Sequence, residues 1–167
     1  MLLSHTHRFD CVFPTRTARF GVALVTSGSV RIKGKEHATD LRPVDSECRC
    51  TTCQNYSRAA LHVMFKETNS LAAQLLTKHN VSYMMRLMRT MREAIMQGPD
   101  AHEQYVRDFM KIQFPKGDVP TWAVEALATV GINITTTVTD ETPAAVVALA
   151  EAEQIESSVK KPKTGTH

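Results

Sequence analysis

The chain has 167 residues, enough for one modest domain, and its hydrophobic content of 43% is ordinary for a globular protein. No apolar stretch approaches the roughly 20 residues that span a bilayer, and the first residues lack the apolar region of a signal peptide. Unpaired cysteines without such a signal fit a reducing compartment. We therefore expect a cytoplasmic protein, not a membrane or secreted one.

Charge is unevenly placed along the chain. The formal net charge is +3, yet the first 35 residues hold six basic side chains and a single acid, Asp10. Such a local excess is typical either of a surface that binds an anionic partner, most simply nucleic acid, or of a solvated basic surface. The six basic residues are Arg8, Arg16, Arg19, Arg31, Lys33 and Lys35.

Short apolar runs separated by turn residues predict β-structure in the first third of the chain. The expected strands are residues 9–13, 20–25 and 30–33, with a turn at 26–29. Pro14 would end the first strand, and the polar residues after it predict a basic loop. Cys11 is expected to be a small buried side chain.

From residue 56 onward the apolar spacing is helical. It predicts helices over residues 56–66, 69–79, 81–97, 100–114 and 121–130, with Asn69 or Ser70 as a cap and Gly98-Pro99 and Gly131 as ends. The methionines of the third helix are expected to fill a core. Residues 134–167 lack large aromatic side chains and are predicted to form a disordered or weakly helical tail.

Three cysteines within six residues form the strongest local motif. Cys48, Cys50 and Cys53 are too closely spaced for mutual disulfides, but their sulfurs can converge on one metal ion. A tetrahedral Zn²⁺ site takes three thiolates and one imidazole. His79 is the favoured fourth ligand, with His62 and His102 as alternatives. Such a site is closed to substrate and would be structural.

Asp10 stands inside an apolar run, shortly before two arginines. Spacing alone favours a buried acid paired with Arg16 or Arg19. The functional alternative is a carboxylate nucleophile that attacks an anomeric carbon.

Residues 9–21, which contain Asp10, closely resemble a signature of the tRNA-guanine transglycosylases, also called queuine tRNA-ribosyltransferases. The likeness continues through the three cysteines, residues 55–59 and His79-Asn80, and covers about residues 8–132. Residues 106–110 and 120–123 are similar to the catalytic subunit of the eukaryotic enzyme, and the likeness is to the C-terminal portion of that subunit.

The resemblance implies an α/β fold, the C-terminal part of a TIM (β/α)8 barrel with a zinc-binding insertion, here incomplete. Residues 1–133 would belong to the barrel, including a zinc subdomain at about 28–80, and 134–167 would be the tail. A complete barrel takes about 250 residues. The family's general acid/base and the residues that sandwich the purine have no counterpart here, so we expect the isolated chain to be inactive.

The implied activity is exchange of guanine for queuine at the wobble position of tRNAs with a GUN anticodon. Asp10 matches the nucleophile, which forms a covalent intermediate with the ribose. The metal ligands would be Cys48, Cys50, Cys53 and His79, holding one structural Zn²⁺. The segment that recognises the wobble region would be Thr15, Arg16, Thr17, Ala18 and Arg19.

The implied partners are tRNA, queuine, guanine and a non-catalytic paralogous subunit in a heterodimer. The resemblance also implies a peripheral association with the mitochondrial outer membrane. The alternative function is a non-catalytic, zinc-containing RNA-binding or partner subunit. A zinc-stabilised interaction module without an RNA role would explain the cysteines but not the acid motif, which is Asp10 with the surrounding residues 9–21.

Overall fold

A computed structural model describes residues 11–134 and 137–139. The chain forms two compact units that divide between Gln113 and Phe114. The first unit contains helix α1 (Phe13–Arg19), strands β1 (Val22–Val25) and β2 (Gly28–Arg31), a 3₁₀ turn (Lys35–His37), and helices α2 (Thr51–Asn55), α3 (Arg58–Lys66), α4 (Ser70–Gln97) and α5 (Pro99–Gln113). The second contains β3 (Asp118–Pro120), α6 (Thr121–Ala128) and β4 (Thr137–Thr139).

The basic segment after Pro14 is a helix, so the predicted loop was wrong. Pro14 lies in the first turn of α1, where its missing N–H costs no intrahelical bond and its fixed φ favours the helix. The Thr15 hydroxyl donates to the carbonyl of Val12 at 2.9 Å, which ties the chain entry to the first turn.

The predicted strand at residues 9–13 was wrong over the part that the structure describes. Phe13 already begins α1, and Cys11 is exposed, not buried. Residues 9 and 10 lie outside the described part of the chain.

The β-hairpin confirms the second and third predicted strands, shifted by about two residues. β1 pairs antiparallel with β2, from Val22 opposite Arg31 to Val25 opposite Gly28. Gly28 has φ +120°, a conformation that favours glycine over other residues. The two residues between the strands therefore make a tight connection, and β1 turns its buried side chains toward the helices.

Helix α4 is a single helix of 28 residues, although two helices were predicted. Neither glycine nor proline interrupts residues 70–97, and His79 and Asn80, which lie where the two predicted helices met, are buried. Asn69 caps the start, with its side chain accepting from the Leu71 N–H at 2.9 Å. Gly98, at φ +119°, ends it as predicted.

The first unit is built around a small core where α1, β1, α3 and α4 meet. Burial of its fully covered leucines contributes roughly 1.5–3 kcal/mol each. The core residues are Ala18, Ala23, Val25, Ile32, Val44, Leu61 and Leu76.

The methionines of the outer half of α4 match their predicted role in the core only in part, since Met84, Met88 and Met91 are half-buried. Met85 is 62% exposed and Met96 is 74% exposed, and Ile112 on α5 is 45% exposed. Met85 and Met96 are eleven residues apart and so lie on one face of α4, which the described residues of this unit leave largely open.

The second unit pairs β3 with β4 in parallel, and Val119, Ala123 and Ile132 are buried. Helix α6 confirms the last predicted helix but ends at Ala128. Strand β4 falls within the segment predicted as a tail, and residues 140–167 lie outside the described part. The predicted boundary at 133/134 therefore stays a prediction.

The described residues form a helix-rich α/β structure. Its strands within that part make two separate two-stranded sheets, so the barrel stays a prediction. Among the described residues, no helix is both long enough and apolar enough to cross a membrane.

Candidate metal centre

The three clustered cysteines are brought together by the start of α2. Cys50 is the N-cap of this helix, and its sulfur accepts from the Cys53 N–H at 3.5 Å. The backbone turn places all three sulfurs and one nitrogen of His79 within 4.8 Å of one another. The predicted set of Cys48, Cys50, Cys53 and His79 is therefore positioned to hold a metal ion.

His79 supplies the fourth donor from the middle of α4. Its Nδ1 lies 3.2 Å from the Cys53 sulfur and 3.6 Å from the Cys50 sulfur. A tetrahedral ion with bonds of 2.0–2.3 Å requires donor separations of about 3.5–3.8 Å. The observed distances fit such an ion after small adjustments.

The ring of His79 is oriented by the hairpin. Its Nε2 donates to the carbonyl of Leu24 at 2.9 Å, which leaves the Nδ1 lone pair facing the sulfurs. The side chain is fully buried. This hydrogen bond selects the tautomer that a metal ligand needs.

The two alternative histidines are placed elsewhere. His62 is buried on α3, and its Nδ1 donates to the carbonyl of Ile32 at 2.9 Å. His102 lies on α5 and is not part of the donor group found among the described residues. The structure thus selects His79.

The pKa values of the four donor side chains shift in different directions. Burial raises the pKa of Cys48 and of Cys53. Burial acts on Cys50 in the same direction, but hydrogen bonds led by that of the Cys53 N–H outweigh it and lower the pKa. Burial also lowers the pKa of His79, which keeps the imidazole neutral and available as a ligand.

Two contacts attach the cysteine loop to α4. The Thr52 hydroxyl donates to the carbonyl of Leu75 at 2.8 Å. Arg86 forms an ion pair with the buried carboxylate of Asp45 at 2.6 Å, and the Cys48 N–H donates to the Asp45 carbonyl at 3.2 Å. Partial burial disfavours the charge on Arg86, but the hydrogen bond and charge of Asp45 outweigh this and raise its pKa.

The sequence reasoning missed Asp45, Arg86 and Asn80 as parts of this site. Arg86 follows His79 by seven residues, which is two helical turns and therefore the same face of α4. That spacing was a usable signal. Asp45 offered none, because its partner Arg86 is distant in sequence, and Asn80 was noted only as part of the family resemblance.

Replacing Arg86 should loosen the cysteine loop. Arg86→Met leaves the Asp45 carboxylate buried without its cation, and we expect a loss of about 1–3 kcal/mol in unfolding free energy, since Arg86 remains a third exposed. Denaturant unfolding measures the loss, and release of the metal to a chelator should be faster. Arg89→Met, an exposed site three residues along, is the matched control. Equal stability of the two variants would contradict this role for Arg86.

The predicted RNA-binding segment is now a helix with an exposed basic side. Arg16 and Arg19 are exposed, and Thr15 is half-buried. Ala18 is fully buried in the core, and the Thr17 hydroxyl donates to the carbonyl of Phe13 at 2.7 Å. The structure thus leaves the two arginines of the segment accessible to a partner. Asp10, the candidate nucleophile, lies outside the described residues.

Comparison with known proteins gives one family. The sequence model of the family described as queuine tRNA-ribosyltransferase matches residues 8–115. Two curated relatives carry the name queuine tRNA-ribosyltransferase, from Aliivibrio fischeri strains MJ11 and ATCC 700601 / ES114. Each is 46% identical over 101 residues, covering 60% of this chain and 26% of the relative. The chain thus spans about a quarter of the length of these relatives.

Proposed function

Because the chain belongs to the queuine tRNA-ribosyltransferase family, we propose that it forms the C-terminal part of an enzyme that exchanges guanine in tRNA for queuine. The observation that supports this most directly is that the matched segment contains Asp10 and all four convergent metal donors. The two motifs are 38 or more residues apart in sequence, so their joint presence is more specific than either one.

The proposed reaction takes place at the wobble position of a tRNA with a GUN anticodon. The Asp10 carboxylate attacks C1′ of the ribose, the C1′–N9 bond breaks, and guanine leaves after it takes up a proton. An ester bond now joins Asp10 to C1′. Queuine then attacks C1′ through its N9, gives up the proton of that nitrogen, and releases the Asp10 carboxylate. Two displacements at one carbon retain the original configuration, as in retaining glycosidases.

Helix α1 is proposed to hold the RNA during this exchange. A base must leave its stack before its ribose can be attacked from the side, and backbone contacts offset that cost. Arg16 and Arg19 are exposed on the helix that begins three residues after Asp10, and guanidinium groups bind phosphates well. The hydroxyl groups of Thr15 and Thr17 donate to the carbonyls of Val12 and Phe13, so these two residues stabilise the first turn of the helix that carries the arginines.

The metal is proposed to be Zn²⁺ with a structural role. Three thiolates and one imidazole are a common structural zinc set and fill a tetrahedron, which leaves no position for substrate. The residues present fit this group, since the Leu24 carbonyl already selects the required tautomer of His79. The ion would hold the cysteine loop against α4, while the chemistry occurs at Asp10.

The complete protein is proposed to be a TIM barrel with the zinc subdomain as an insertion. This chain supplies 26% of the length of its relatives, so the remaining strands and the general acid/base would come from outside the matched segment. Three further points remain predictions: the heterodimer with a non-catalytic paralogue, the similarity to the eukaryotic catalytic subunit, and the cytoplasmic location.

Guanine exchange tests the proposal. Residues 8–115 of this chain, the segment that the family model matches, replace the corresponding segment of the Aliivibrio fischeri relative, and incorporation of labelled guanine into tRNA is measured. We expect exchange by this fusion protein and none by the 167-residue chain alone. A folded, metal-loaded fusion without exchange, beside an active parent relative, would favour the non-catalytic alternative.

A further inference from the structure

Asn80 is a buried polar residue to which the proposed mechanism assigns no role. It follows the metal donor His79 on α4, and its side chain is fully buried. A buried amide is stable only when its donors and acceptor find partners. The identity of those partners shows what this residue connects.

The amide of Asn80 joins two different elements. Its Oδ1 accepts from the Leu24 N–H of β1 at 2.9 Å. Its Nδ2 lies 3.0 Å from the Val22 carbonyl of the same strand. The same nitrogen lies 3.0 Å from the carbonyl of Pro14 and 3.1 Å from the Thr17 hydroxyl, both on α1. The side chain therefore bridges α4 to β1 and to α1.

The metal centre and this bridge share one strand residue. His79 donates to the Leu24 carbonyl at 2.9 Å, while Asn80 accepts from the Leu24 N–H at 2.9 Å. Two successive residues of α4 thus use both backbone groups of Leu24. Any displacement of His79 toward or away from the metal would move the anchor of α1 as well.

We propose that Asn80 is a positioning residue that fixes α1, and with it the acid motif, relative to the metal centre. The bridge ends at Pro14 and Thr17, four and seven residues after Asp10. Metal binding then orders the start of α1 through His79 and Asn80. The catalytic consequence rests on the proposed function, whereas the mechanical coupling does not.

Asn80→Asp is the informative substitution. It keeps an oxygen to accept from the Leu24 N–H, but it replaces the amide donor with an oxygen that faces the acceptors on α1 and β1. Asn69→Asp is the matched control, because an aspartate caps the helix as well as asparagine does. Thr17→Val is a milder second variant that removes the contact of Asn80 with the Thr17 hydroxyl, together with that hydroxyl's own hydrogen bond to the Phe13 carbonyl.

Two measurements on the 167-residue chain separate positioning from general stability. The absorption spectrum of the Co²⁺-loaded protein reports the donor geometry, and hydrogen exchange reports the order of α1. We expect an unchanged spectrum for Asn80→Asp, with exchange at least tenfold faster at the amides of residues 16–21 and unchanged exchange in α3. Thr17→Val should accelerate exchange at the same amides.

Unchanged hydrogen exchange at the α1 amides of Asn80→Asp would overturn the proposal. So would equal acceleration in α1 and α3 together with a lost Co²⁺ spectrum, since that would be general unfolding. If Asn80→Asp does not fold, Thr17→Val decides by the same two criteria.

The fusion protein tests the catalytic consequence separately. Asn80→Asp should lower the kcat of guanine exchange per metal-loaded molecule by at least tenfold, whereas loss of folded protein alone would lower activity only in proportion to metal content. If the unsubstituted fusion protein shows no guanine exchange, the proposed function fails. The hydrogen-exchange measurement on the 167-residue chain still tests the coupling between the metal centre and α1. A normal kcat with a mobile α1 would show that Asn80 does not position the acid motif for the reaction.

Discussion

Asp10→Asn in the fusion protein is expected to abolish guanine exchange, with kcat reduced by at least about 10⁴-fold, as is typical when a covalent nucleophile is removed. An amide is a far weaker nucleophile than a carboxylate, so the ester to C1′ would not form. Incorporation of labelled guanine measures the loss, and a denaturing gel shows whether the protein–RNA adduct has disappeared.

Asp100→Asn is the matched control, because this carboxylate is exposed in the first turn of α5. It should leave both exchange and adduct formation unchanged. Exchange by Asp10→Asn within tenfold of the unsubstituted fusion would show that another group attacks the ribose.

Removal of the metal should unfold much of the first unit. The cysteine loop contributes few apolar side chains to the core, so its attachment depends on the ion and on contacts such as those of Thr52 and Asp45. Structural zinc provides a large part of the folding free energy of small metal-containing domains. We expect Cys53→Ala to lose at least about 3 kcal/mol, which lowers the Tm of a unit of this size by roughly 15 °C or more.

Thermal unfolding monitored by circular dichroism, together with the metal content by mass spectrometry, measures this effect. Cys11→Ala is the control, since Cys11 is exposed and lies outside the donor cluster. Cys53→Ala with an unchanged Tm and a full equivalent of metal would contradict the predicted ligand set.

Metal binding should weaken as the pH falls. Burial lowers the pKa of His79 in the folded protein, so the neutral ring is favoured there relative to the unfolded chain. This stabilisation is present above the ordinary histidine value of about 6.5 and is lost as the pH falls below it. The thiolates must also take up protons as the ion leaves. Both effects weaken metal binding at low pH.

The metal site could be predicted from the sequence because its chemistry constrains its spacing. Three cysteines in six residues have few stable uses other than a metal knuckle, and the choice among three histidines needed only the fold. His79 is the fourth donor because its Nδ1 lies 3.2 Å from the Cys53 sulfur, whereas His62 is not part of the donor group found among the described residues. The local sequence pattern therefore predicted the three cysteine ligands, and the fold determined which histidine is the fourth donor.

Other features could not be read locally. Pro14 was interpreted as a strand end, whereas in the first turn of a helix it is favourable, and only the following residues decide between these roles. The predicted helices 69–79 and 81–97 met at His79-Asn80, but hydrogen bonds to β1 satisfy both side chains within a continuous α4. Arg86 and Asp45 meet across 41 residues of sequence.

The exposed methionines of α4 are a further feature that local sequence could not predict. Helical spacing correctly predicted an apolar face on α4, but it could not say what covers that face. Met85 and Met96 remain largely exposed in the first unit.

The most direct test of the account is the location of the ribose in the covalent intermediate. Trypsin should release residues 9–16 as one peptide, because it cleaves after Arg8 and after Arg16. Asp10 is the only carboxylate side chain in this peptide. The fusion protein is mixed with an anticodon stem-loop RNA, quenched in acid, digested with nuclease and trypsin, and analysed by mass spectrometry. The account predicts a ribose-derived mass on Asp10 that appears with the metal-loaded protein. A ribose on any other residue, or active exchange without any adduct, would contradict it.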